Sequence, residues 1–90
     1  MLRLTLGRLE IPSECVYDIV VPGAGHTVFL IKTDKKCQKV LDTLKAQEQK
    51  QILMNFYAED REGRHSQGQA RIIERSKDQS TVTYELVGNY

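Results

Sequence analysis

Between positions 61 and 77 the sequence sets Arg61, Arg64, His65, Arg71, Arg75 and Lys77 against Glu62 and Glu74. The four arginines and the lysine stay cationic at neutral pH. The arginine guanidinium adds a planar fork that matches phosphate oxygens and stacks on flat rings. A cationic groove beside aromatic faces is what non-specific binding of a single nucleic-acid strand requires. Tyr57, facing away from the Phe56 side of its segment, is the ring available for stacking, and Lys32 ends an apolar run that could line the same groove. The candidate binding residues are therefore Arg71, Arg75, Arg64, Arg61, Tyr57 and Lys32. The same residues also admit a plainer reading. Arg61 and Arg64 would pair with Glu59, Asp60 and Glu62 on a solvated tip, and Arg71 and Arg75 would be the polar side of an edge strand.

Other chemistries find less support. Lys35, Lys36, Lys39, Lys45 and Lys50 share a segment with Asp34, Asp42 and Glu48, as on a solvated helix face. Val20-Val21-Pro22-Gly23-Ala24-Gly25 resembles the start of a dinucleotide-binding fingerprint, but a strand-like Thr27–Ile31 follows where that fingerprint needs a helix. Cys15, His26, Cys37 and His65 never fall at the spacing of zinc ligands, so no metal is expected. Glu59, Asp60, Glu62 and His65 are close in sequence, yet water on a loop tip would keep their pKa values ordinary, whereas catalysis usually exploits shifted ones. No catalytic residue and no cofactor are assigned.

Composition sets the frame. Ninety residues make one domain, 1–90, with 40% hydrophobic and 28% charged residues, the balance of an ordinary globular chain. A formal net charge of +1 provides no global field for steering nucleic acid or a membrane. No apolar run reaches the ~20 residues of a membrane span, and no apolar stretch typical of a leader follows Met1–Leu6. Two cysteines are few for the disulfide framework of a small secreted domain, so Cys15 and Cys37 are expected as buried, reduced thiols in a cytoplasmic protein.

The elements follow from hydrophobic period. Leu2, Leu4 and Leu6 alternate, then the apolar phase slips to Leu9 and Ile11 across Gly7-Arg8, which predicts a glycine bulge within one bent strand over 2–11. Cys15–Val21 reads as a second strand closed by a turn at 22–25, and Thr27–Ile31 as a third, apolar on both faces and hence central. Cys37, Val40, Leu41 and Leu44 fall on one stripe of a helix near 35–49, with Thr33 or Asp34 as its cap. Ile52, Met54, Phe56 and Ala58 share one face of a fourth strand. A long mobile tip at 59–69 leads to a returning strand at 69–75, and Val82, Tyr84 and Leu86 point inward from a closing strand at 81–87. The order β-β-β-α-β-β-β makes this an α+β domain, either a mostly antiparallel sheet with one amphipathic helix or a small barrel plugged by that helix.

Three strands, a helix, then a closing hairpin is also the element order of the oligonucleotide/oligosaccharide-binding (OB) fold. Segment 27–74 resembles the matching part of bacterial single-stranded-DNA-binding proteins, through Val28–Ile31, Val40–Leu44, Ile52–Tyr57, Gly68 and Ala70–Ile73. The resemblance spans about half the chain. It implies an OB-like barrel and single-stranded nucleic acid as partner; the chain departs from it in lacking tryptophan and in its sixth strand. A second class of partner is a protein, or another copy of the chain in a homodimer, joined through a strand edge. The apolar side chains Val20, Leu53 and Ile73, if they face away from the core, would form a patch for such a partner.

Overall fold

Seven strands and one helix arise from these patterns in a computed structural model that describes residues 2–23 and 25–89. Ala24, within the predicted turn at 22–25, and Tyr90 lie outside the described residues, as does Met1. The strands are β1 (Arg3–Leu6), β2 (Leu9–Glu10), β3 (Val16–Val20), β4 (Val28–Lys32), β5 (Met54–Glu59), β6 (His65–Lys77) and β7 (Thr81–Asn89), with helix α1 at Gln38–Gln49. They form one antiparallel sheet in the order β2-β1-β5-β6-β7-β4-β3. The sheet is not closed into a barrel, and β2 and β3 are its two edges. None of the described helices is long and apolar enough to cross a membrane.

One face of the sheet carries the core. Leu4, Leu6, Phe29, Ile31, Phe56, Ala58, Ile72 and Leu86 are buried there with Val40 and Leu44 from α1. Period two places them: in β7, buried Val82, Tyr84 and Leu86 alternate with half-buried Thr83, Glu85 and Val87. Tyr84 stacks on Phe29 across the β4–β7 pair, ring centroids 5.2 Å apart. Burial pushes its phenol up to about 12, with the Glu74 and Glu48 carboxylates adding to the shift. Where β7 passes β6, Gly88 approaches so closely that a methyl group would collide with the Gln69 carbonyl oxygen.

Four expectations need correction. First, Gly7-Arg8 is not a bulge but a reversal. Gly7 takes φ +63°, the chain doubles back, and Leu6 pairs with Leu9, so the predicted first strand is two strands. Second, the predicted mobile tip shrinks to a turn at 60–64, with strand resuming at His65. The cause is Asp60, which is 3% exposed. Its carboxylate accepts the backbone N–H groups of Glu62 and Arg64, each at 2.9 Å, and the Arg64 Nε at 2.8 Å.

Third, Cys15 and Cys37 are joined in a disulfide, Cα atoms 5.6 Å apart. A short turn at Ser13–Cys15 leads into β3, another at Lys35–Cys37 leads into α1, and the β3–β4 hairpin returns the chain to bring them together. Fourth, neither predicted cap bonds through its side chain to the helix: the Thr33 hydroxyl donates to the Gln79 carbonyl at 2.7 Å, and Asp34 offers its own carbonyl to Cys37 N–H at 2.8 Å. At its far end α1 closes in a Schellman pattern. Gln51, at φ +52°, donates to Glu48 O and Ile52 donates to Gln47 O.

Candidate functional site

The face of the sheet turned away from the core carries Tyr57, Arg71, Arg75 and Lys32 on different strands, while Arg61 and Arg64 lie in the β5–β6 turn. Registers across β1, β5 and β6 set Arg3 opposite Glu59, Thr5 opposite Tyr57, Tyr57 opposite Gln67 and Glu59 opposite His65. These residues make a polar half. Tyr57 stacks on His65 with centroids 5.8 Å apart and planes inclined by 18°. Its hydroxyl donates to Glu59 at 2.8 Å, and that bond, with desolvation and the carboxylate's charge, raises the phenol above its ordinary range.

The arginines are distributed differently from the expected basic groove. Arg61 donates to the Tyr17 carbonyl at 2.7 Å and lies 3.5 Å from Asp18. Arg64 pairs with Asp60 at 2.8 Å and Glu62 at 3.4 Å. Arg75 occupies a bulge in β6 and donates to Glu85 at 2.6 Å, while the His26 ring nitrogen meets the other oxygen of that carboxylate at 2.9 Å. The Arg75 hydrogen bond, aided by His26, holds the Glu85 carboxyl below its usual range despite partial burial. Arg71 is exposed opposite Val87 and forms no ion pair among the described residues. Its strand is central, between β5 and β7, and not an edge. Lys32 is half-buried at the end of β4, beside Val16, Tyr17 and Arg61.

The same face carries an apolar half, of which sequence reasoning named Val20 and Ile73 and missed Val28, Leu30 and Val87. Val20 pairs with Val28, Val28 with Glu85, and Glu85 with Ile73, so one row crosses β3, β4, β7 and β6. Leu30 and Val87 flank the row. Val20 is 47% exposed, and Val28, Leu30, Ile73 and Val87 are half-buried on the face away from the core. The signal was present in Thr27–Ile31, apolar at successive positions, because a strand of that kind needs cover on both faces. Of the predicted patch, Val20 and Ile73 share this surface. Leu53 is 60% exposed in the segment before β5.

Among the described residues, no three His, Cys, Asp or Glu side chains gather so that they could hold a metal ion. The His26 ring nitrogen meets the Glu85 carboxylate, and the His65 ring stacks on Tyr57. The chain matches no protein-family profile, no curated protein and no solved structure.

Proposed function

We propose that this domain is a protein-binding module that docks a partner against the apolar half of its outer sheet face. The observation carrying the reading is the row Val20–Val28–Glu85–Ile73, which presents apolar side chains to solvent around one neutralised carboxylate. Burying such surface contributes about 25 cal/mol per Å2 before the costs of association. Glu85 is already paired to Arg75, so covering it strands no lone charge, the condition that makes buried ions costly. Arg71 at the rim asks for a carboxylate, so the partner is an apolar protein surface bordered by an acidic side chain. The Cys15–Cys37 disulfide favours work in an oxidising compartment over the cytoplasmic setting expected from cysteine number.

A photoreactive phenylalanine analogue at Val20 tests the reading. It should yield one discrete protein adduct in the cells that make the chain, abolished by Ile73→Lys, whereas the same analogue at Gln67 on the polar half should yield none. No adduct from Val20, or the same adduct from both positions, overturns it.

Single-stranded nucleic acid is the second reading, supported by Arg71 and the Tyr57–His65 ring pair on the same face. Against it, Arg64 and Arg75 are already held by Asp60, Glu62 and Glu85. Titration of labelled oligothymidine at falling salt decides it, because phosphate contacts make log affinity linear in log salt.

A further inference from the structure

The free edge of β3 borders two adjoining grooves. One runs along Val16 and Tyr17 and is lined also by Leu2, Ser13 and Lys32. The other runs along Asp18, Ile19 and Val20 and is lined by the β5–β6 turn, including Asp60 and Arg64. Arg61 belongs to both and reaches across to Tyr17 O and Asp18. The curl of the sheet thus leaves a slot along β3, spanned by one side chain whose ion pair is long and whose guanidinium is two-thirds exposed, the kind of contact that contributes little.

We infer that this slot takes an extended, carboxylate-bearing peptide segment as an added strand on β3, with Arg61 turning from Tyr17 and Asp18 to the peptide's carboxylate. Strand addition supplies main-chain hydrogen bonds, and specificity comes from alternate side chains. On β3, Tyr17 O is held by the Arg61 side chain and Ile19 N–H by the Asp18 carboxylate at 2.9 Å, side-chain contacts that a peptide backbone would replace. β3 has no strand on its outer side among the described residues. Tyr17 and Val20, 52% and 47% exposed, are two of the four large apolar side chains left open among the described residues. Lys32 and Arg61 are the charged residues of the groove along Val16 and Tyr17, and Lys32 forms no ion pair among the described residues, so a peptide carboxylate fits there. The groove along Asp18, Ile19 and Val20, which holds the carboxylates of Asp18, Asp60 and Glu62, takes the uncharged end. Five residues of β3 at about 3.3 Å each match a peptide of five to eight residues. The inference rests on the protein-binding reading and is continuous with its surface through Val20, while naming a different contact.

The probe is an acetylated octapeptide alternating valine and glutamate, titrated into the intact, oxidised chain and followed by amide NMR shifts and hydrogen exchange. Shifts and slowed exchange should centre on residues 16–20. A lysine-for-glutamate peptide should bind about two- to fivefold more weakly, the range of one exposed ion pair. Arg61→Glu should reverse that preference and Arg61→Gln should abolish it; the second variant guards against misfolding of the first. Ile73→Lys should leave peptide binding unchanged, which separates this inference from the docking face. If the β3 amides stay unshifted, or Arg61→Glu leaves the preference intact, the inference falls even where the Val20 adduct stands. Peptide binding lost in Ile73→Lys also overturns it, since the site would then be the face.

Discussion

Opening the bridge between Cys15 and Cys37 should remove about 3–3.5 kcal/mol of stability. The cysteines are 22 residues apart, and closing a loop of that length restricts the unfolded chain by this amount in the chain-entropy account. For a domain of this size each kcal/mol moves the melting temperature by about 4–8 °C, so the reduced protein should melt roughly 12–28 °C lower. Small domains have only about 5–15 kcal/mol in total, so the loss is a large share. Reduction and substitution are not equivalent. The reduced thiols still fill their sites, at 2% and 0% exposure, whereas the Cys15→Ala/Cys37→Ala pair also leaves a void and should be less stable than the reduced wild type. Thermal and denaturant melts with and without a phosphine reductant, after mass spectrometry has confirmed both states, measure the difference. A reduced chain melting within 2–3 °C of the oxidised one, far inside the range expected for loop closure, would refute the reasoning.

Two further perturbations follow from local geometry. Gln51→Gly should raise stability by about 1 kcal/mol in denaturant melts, because Gln51 holds the left-handed C′ position where glycine carries no Cβ penalty. Asp60 governs part of the acid limb. Burial alone pushes its carboxyl up, but the Arg64 side chain and the Arg64 and Glu62 N–H groups outweigh that and hold it below the ordinary value. Its ionised form therefore stabilises the fold fully above the unfolded pKa of about 4, and the contribution is lost as pH falls through the lower folded value. Asp60→Asn should melt lower at neutral pH with a flatter decline below about pH 4, measured by melts across pH; equal melting at pH 7 would contradict the role given to Asp60.

The parts of the fold legible in the sequence were those decided by period. The helix stripe Cys37, Val40, Leu41, Leu44 and the inward set Val82, Tyr84, Leu86 repeat at spacings that only one element satisfies, and burial follows them. The failures share a cause: each depended on a particular hydrogen bond or a single backbone angle that apolar spacing does not encode. A glycine at a phase slip suits a bulge or a reversal equally, and the choice rested on whether Ile11 N–H could reach Leu4 O, as it does at 2.9 Å. The tip between β5 and β6 looked mobile because glycine and charge are common in mobile loops. Asp60 is charged too, but its carboxylate is spent on the turn's own backbone. Ile52 fits the inward stripe of β5, yet it completes the helix C-terminus instead and stays 40% exposed.

The candidate site failed differently, and the difference bears on what this surface can bind. Sequence counting tallies charges along the chain, whereas folding sorts them across strands. Arg75 met Glu85 from β7, ten residues on, and Arg61 met Asp18 from the far edge of the sheet. The Arg75–Glu85 pairing turned a cation that could have served phosphate into part of a neutral surface beside the valines and isoleucine. An apolar row beside an unpaired Glu85 would repel any partner that had to bury it. Beside the Arg75–Glu85 pair the same row can be covered at small electrostatic cost. In the proposed reading, the acid that disarms Arg75 is thus the group that lets the apolar half be covered by a protein, with Arg71 at its rim.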